Sequence, residues 1–141
     1  IWCWVVTNVR KVDDGVGRMI GILLECMGET FRLLNVYAPN EERGRREFFE
    51  GLEDKCGGNC MIVSDFNVWC SKLDVSANMC FRSDSSRGAL KTIMGTNGLL
   101  DVWRERNNRQ VVGGILKQSR IDLVWSNLWG KSAELSIGTL L

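Results

Sequence analysis

Asp65 and Asn67 stand two residues apart at the end of an apolar run, Cys60-Met61-Ile62-Val63, and Asp122 stands inside a second, between Ile121 and Leu123-Val124-Trp125. A carboxylate and a neutral amide offer oxygen ligands and hydrogen-bond donors, the groups that a hard cation or a phosphate takes. In an extended backbone, residues two apart project from the same face, so both side chains reach a common point while Phe66 turns the other way into a core. The alternative is structural: Asp and Asn at a strand end cap a turn. For Asp122, a carboxylate among apolar neighbours is costly unless paired. Arg120, two residues earlier on the same face, is one partner for it, and convergence on Asp65 is the other reading. The chain has no histidine. That excludes histidine general bases, Ser-His-Asp triads and Cys2His2 zinc sites within these residues.

Elements must position these groups. With 141 residues and 45% hydrophobic content, the chain can bury one sizeable core, and a single domain over 1–141 is expected. Met61, Ile62 and Val63 lack alternation, as in a strand covered on both faces. Ahead of them, Trp2, Trp4 and Val6 share one face of a first strand, and a charged glycine-containing turn follows over 11–17. Strands are expected over 18–26 and 31–39, joined through Met27-Gly28-Glu29-Thr30 as an antiparallel hairpin that ends at the one proline, Pro39. Asn40 can then cap a helix over 42–55. Its apolar stripe is Phe48, Phe49, Leu52 and Cys56, opposite Arg43, Arg45, Arg46 and Glu50. Those arginines read as a solvated face or as a phosphate contact. A second helix is expected over 87–96 with Leu90, Ile93 and Met94 buried and Asn97-Gly98 as its left-handed stop. After it comes a short apolar turn over 99–103 anchored by Trp103. A last strand covers 119–126.

Charge is balanced overall, 18 cations against 17 carboxylates for a net +1, so any attraction for a polyanion must be local. Between 104 and 120, Arg104, Arg106, Arg109, Lys117 and Arg120 stand against Glu105 alone, a local +4. This stretch reads as a solvated loop or as the contact with a phosphate backbone. Six cysteines follow no secretory segment, and the opening apolar run is too short to span a membrane. An intracellular chain with free thiols, in nucleus or cytoplasm, is expected. Cys56-x3-Cys60 offers two thiols for zinc but no second close pair completes a site, and core thiols are the other reading.

Five pieces then occur in order: Asn35-Val36-Tyr37-Ala38-Pro39-Asn40, Phe48-Phe49-x-x-Leu52, Ile62-Val63-Ser64-Asp65-Phe66-Asn67, Leu99-Leu100-Asp101-Val102-Trp103-Arg104 and Ser119-Arg120-Ile121-Asp122. The series spans 17–126 and resembles the endonuclease/exonuclease/phosphatase superfamily. More narrowly, it is similar to the apurinic-like endonuclease domain of LINE-type retrotransposons. The order of all five is far more specific than any one of them.

The resemblance implies an α/β four-layer αββα sandwich of the DNase I type, truncated at both ends, and a Mg²⁺-dependent phosphodiester hydrolase that nicks DNA. Residue by residue, it implies that Asp65 orients or deprotonates the attacking water and that Asn67 steadies the scissile phosphate. Tyr37 would contact the phosphate or ease departure of the leaving group, and Asp122 would support the active-site histidine. Phosphate or DNA contacts are expected for Asn40, Ser119, Arg120, Arg104, Arg106 and Arg109, the arginines from the local charge of 104–120. The implied partners are DNA and a reverse transcriptase domain in the parent protein, with no membrane. The sequence also departs from the pattern. The catalytic Asn and metal-binding Glu of the family's early strands, and its Ser-Asp-His, fall outside the chain, so no metal ligand is expected within it. Ser64 replaces the usual glycine, and Val111-Val112-Gly113 replaces an aromatic-Thr-Trp segment. A fragment without activity of its own is therefore expected. A non-enzymatic remnant that binds nucleic acid weakly and a phosphatase or deadenylase of the same superfamily are the alternatives.

Overall fold

The structure, a computed structural model, describes residues 5–76, 78–107 and 120–128. Their order is β1 (Val6–Asp13), β2 (Met19–Cys26), β3 (Glu29–Tyr37), α1 (Glu42–Glu50), β4 (Asn59–Asp65), α2 (Ser85–Thr96), β5 (Leu100–Asp101), α3 (Val102–Arg106) and β6 (Asp122–Ser126). The six strands form one mixed sheet in the order β1-β2-β3-β4-β6-β5, with β3 and β4 parallel and every other pair antiparallel. The expected hairpin is present and tighter than read. Cys26 pairs with Glu29, leaving Met27 and Gly28 as a two-residue turn, both at positive φ. The turn expected over 11–17 begins later, because β1 runs to Asp13 and the Asp14 carboxylate then accepts the N–H groups of Val16, Gly17 and Arg18. Trp2 and Trp4 lie outside the described residues.

Period-two alternation sorts the sheet into two faces. On one, Met19, Leu34, Val36, Cys60, Ile62, Leu123 and Trp125 join Phe49, Leu52, Leu90, Ile93 and Met94 of the helical layer in a single core. Gly21 belongs to this face because β2 and β3 approach closely there; a Cβ would stand 2.6 Å from the Leu33 carbonyl oxygen. On the other face Ile20 and Leu33 are exposed, and Ile22, Leu24, Met61, Val63 and Val124 are half-buried. The described residues thus form a sheet with helices on one side and an apolar surface on the other.

The first helix stops at Glu50 and a short 3-10 turn, Glu53–Lys55, completes the segment, so the expected helix over 42–55 is broken in two. Its cap is Glu41 rather than Asn40: the Glu41 carboxylate accepts the N–H groups of Arg43 and Gly44 at 2.8 and 2.7 Å. Arg45 corrects the reading of a solvated arginine face, since it is only 5% exposed. Its Nε donates to the Ser86 hydroxyl at 2.8 Å and its Nη2 to Asp84 at 2.6 Å, while Asp84 caps α2 by accepting the Ser86 N–H. One guanidinium therefore ties the start of α2 to α1. The second helix carries the expected buried residues Leu90, Ile93 and Met94 and is followed by Gly98 at φ +65°. The 99–103 segment is not a wedged turn: Leu100–Asp101 pairs with β6 as the sheet edge, and Trp103 lies on α3.

Candidate active site

The parallel pairing of β3 with β4 puts Tyr37 in register with Asp65, and the antiparallel pairing of β4 with β6 puts Asp65 in register with Asp122. The three side chains thus stand in a row across three neighbouring strands. Directly opposed residues have Cβ atoms about 4.5–5.5 Å apart. Of the two readings of Asp122, convergence on Asp65 is the one the register supports, and the side chain is exposed rather than sunk among apolar neighbours. Like charges placed opposite each other destabilise a sheet.

Asn67 arrives differently from the expected extended geometry. The strand ends at Asp65, and Asn67 sits at φ +51°. Its N–H donates to the Asp65 carboxylate at 2.8 Å, and its side-chain Nδ2 donates to the Ala38 carbonyl at 2.7 Å. The capping role of Asp-x-Asn is thus real, and it coexists with the shared location. Asp65 holds the turn that carries Asn67, and Asn67 fastens that turn to the residue after Tyr37. The backbone adds two more ties: the Ala38 N–H donates to the Asp65 carbonyl at 3.0 Å, and the Phe66 N–H donates to the Ile121 carbonyl at 3.0 Å. Phe66 points into the core as expected, fully buried, with its ring centroid 6.1 Å from that of Phe49.

Ser64 marks strain beside this row. It lies at φ +146°, a backbone region essentially reserved for glycine, and non-glycine residues held there cost about 1–3 kcal/mol. Replacing Ser64 with glycine removes that strain but loosens the unfolded chain by about 0.4–1 kcal/mol. The expected outcome is a net stabilisation of about 1 kcal/mol in urea unfolding, and a destabilised variant would show the strain to be absent.

Tyr37 is 49% exposed and the Arg18 guanidinium lies over its ring at 5.8 Å. Arg18 went unnoticed in the sequence, where only its place at the start of a strand was visible. Asn40 is exposed just past the end of β3, and its carbonyl accepts from Arg45 at 2.7 Å. Ser119, Arg109, Lys117 and the 111–113 segment lie outside the described residues.

Arg120 corrects two expectations at once. It is not the partner of Asp122, and its guanidinium is committed to carboxylates inside the protein rather than to a phosphate. Nε donates to Asp74 at 2.8 Å, and Nη1 and Nη2 donate to the two oxygens of Asp101 at 3.0 and 2.5 Å. Arg104 donates to the same Asp74 oxygen through Nη2. Both arginines flank the Trp103 ring, at 4.8 and 5.0 Å from its centroid. Asp74 is fully buried, closing a capping box in which Ser71 N–H and hydroxyl both donate to it at 2.9 Å. Burial pushes the Asp74 carboxyl up, but the hydrogen bonds and charge of Arg120, with Ser71 and Arg104, outweigh this and hold it below the usual carboxylate value. Two of the five cations counted over 104–120 are thus neutralised by carboxylates at 74 and 101. Those lie outside that window, which is why local counting overstated the charge. The Ser71-x-x-Asp74 spacing was the available signal. Arg106 is exposed on α3.

Among the described residues, no group of three or more His, Cys, Asp or Glu could hold a metal ion. Cys56 and Cys60 are free and buried in the core, the core-thiol reading of that pair. No described helix is long and apolar enough to cross a membrane.

This architecture is a mixed α/β, DNase I-like fold. The endonuclease domain of TRAS1, a telomere-specific non-LTR retrotransposon, superposes with a TM-score of 0.53 at 16% identity, covering 85% of this chain and 54% of that one. A humanised D. rerio TDP2 gives 0.51 at 10% identity (86% and 51%), and the human Nocturnin catalytic domain with bound sulfate gives 0.51 at 13% (88% and 48%). In sequence the chain is 33% identical over 135 residues to the transposon TX1 uncharacterized 149 kDa protein of Xenopus laevis, covering 86% of this chain and 10% of that protein. The five-motif resemblance is therefore matched in fold by these structures and in sequence by a transposon relative. No family model matches. The chain spans about half the length of these solved structures and a tenth of the transposon protein.

Proposed function

We propose that this chain carries part of the site of a DNA-nicking, metal-dependent endonuclease of a non-LTR retrotransposon. The observation that carries the reading is the row Tyr37, Asp65, Asp122, with Asn67 fastened beside it at one end of the sheet. Two carboxylates and a hydroxyl brought to one end of the sheet suit a site for a charged substrate or cation. In phosphodiester hydrolysis an incoming water oxygen bonds to phosphorus, the bond to the leaving oxygen breaks, and one proton is lost from the water. Asp65 is placed to take that proton or to orient the water. The second amide hydrogen of Asn67 is left for a phosphate oxygen, because the first is given to Ala38. Tyr37 offers its hydroxyl to the phosphate or the leaving oxygen. The donors on Asp65 and Asp122 are oxygen alone, which suits Mg²⁺, an ion commonly held by one or two carboxylates with water and substrate phosphate completing its shell. Such an ion supplies charge stabilisation to the phosphoryl oxygens. The relationship to a transposon protein favours the retroelement branch over a phosphatase or deadenylase, and a reverse transcriptase in the same polypeptide belongs to this reading.

The test is relaxation of supercoiled plasmid with Mg²⁺, run on the chain alone and on the chain extended by its flanking coding sequence. Alone, it is expected to show no nicking; extended, it is expected to nick, and Asp65→Ala is expected to lower the rate at least about 100-fold. Nicking indifferent to Asp65→Ala, or absent from every extension, overturns the proposal. DNA retention without nicking is the outcome that points instead to a non-enzymatic binder.

A further inference from the structure

We infer that Arg120 is a positioning residue, which fixes Asp122 opposite Asp65, and not a phosphate ligand. The inference rests on the reading of Asp122 as a site carboxylate. Two loops bracket the paired carboxylates: the segment from Phe66 to Asp74 that leaves β4, and the residues from Arg120 that enter β6. Arg120 joins them twice, through its own N–H to the Asp74 carbonyl at 2.8 Å and through Nε to the Asp74 carboxylate. Its remaining nitrogens form a two-bond fork on Asp101, at the end of β5, which itself pairs with β6. A fork with both ends anchored in separate elements fixes the guanidinium in plane and direction. The backbone between Arg120 and Asp122 is then pinned by the Phe66 N–H to the Ile121 carbonyl, on the residue between Asp65 and Asn67. Asp122 leaves this clamp directly into its position opposite Asp65. The side chain of Arg120 is 10% exposed and its charge is matched by carboxylates, so it brings little attraction to a polyanion.

Arg120→Lys keeps the cation but not the planar fork, and so separates the two roles. In the extended, nicking-competent polypeptide, assayed where the variant is folded by circular dichroism, kcat is expected to fall about 10-fold or more with KM within about 2-fold. In an Asp122→Ala background the same change is expected to have no further effect on kcat, because one group acts through the other. A raised KM with unchanged kcat, and a salt slope of DNA binding smaller by about one, would make Arg120 a phosphate contact and overturn the inference. So would independent, multiplying effects in the two backgrounds. A readout without activity keeps the inference separate from the proposed reaction. Amide exchange at Phe66 in the chain itself is expected to quicken about 10-fold or more in Arg120→Lys while that at Leu33, paired with Ile22 in the β2–β3 ladder, is unchanged. Unchanged exchange at Phe66 overturns the tether. Quickened exchange in a polypeptide that never nicks supports the tether and refutes the endonuclease reading instead. Should Arg120→Lys fail to fold, Asp101→Asn is expected to show the same pattern with smaller changes.

Discussion

Asp74→Ala is expected to cost about 3–5 kcal/mol of folding stability, the penalty typical of removing one partner from a buried ion pair. Asp74 is wholly buried and accepts from Arg120, Arg104 and Ser71. Without it, the Arg104 guanidinium loses this ion pair in a 19%-exposed setting, and Arg120 keeps its fork on Asp101. A loss of this size is a large share of the roughly 5–15 kcal/mol that holds a typical domain together. It is expected to lower Tm by roughly 10 °C or more. Asp74→Asn, which preserves shape and one acceptor, is expected to fall between. The sign of the pH dependence follows from the same geometry. The folded carboxyl lies below its ordinary value, so Asp74 contributes stability above the unfolded value of about 4, and loses it as pH falls through the lower, folded value. Asp84, for which burial is likewise outweighed by Ser86 and Arg45, acts in the same direction. Acid unfolding of wild type should therefore be steeper than that of Asp74→Ala. Unfolding free energies in urea within about 1 kcal/mol of wild type would show that the network is not holding these loops.

Phe66→Ala is expected to cost a further class of stability, about 3–5 kcal/mol, as buried aromatic truncations do. Phe66 is fully buried against Phe49, and the residues on either side of it are Asp65 and Asn67. Truncation therefore opens a cavity beneath the turn that presents them. Phe66→Leu keeps most of the volume and is expected to cost under about 1.5 kcal/mol. The turn itself reports the difference. Protection of the Asn67 N–H, which depends on the Asp65 carboxylate, is expected to drop in Phe66→Ala and to survive in Phe66→Leu. Equal urea stabilities of the two variants would remove the packing argument.

These two residues also show how much of the site could be read in one dimension. Phe66 was legible because alternation assigns it to the core face opposite Asp65 and Asn67. The hairpin, the β4 strand and the buried stripe of α2 were legible for the same reason: each is a local pattern of spacing. Arg45 was misread although its signal was present, since it shares a helix face with Phe49 and Leu52 at i+4 and i+7. What hid its burial is that Asp84 and Ser86, its partners, lie 39 and 41 residues away. Arg120 was misassigned for a parallel reason. Its nearest carboxylate in sequence is Asp122, but on the segment that enters β6 that neighbour competes with any acceptor that folding brings up, and Asp74 and Asp101 arrive from 46 and 19 residues off.

The residue order by itself determined the candidates Asp65, Asn67 and Asp122, and through the resemblance of its five ordered motifs it implied Tyr37, the fold class and a glycine where Ser64 stands. Residue types and short-range spacing are sufficient for the first three, because strand alternation and turn chemistry act over two to four residues. Only the tertiary structure decided that Tyr37, Asp65 and Asp122 form one row, because strand register is set by pairings between segments far apart in the chain. It alone also decided which arginines are internal, since a buried guanidinium takes whichever carboxylates the packing delivers.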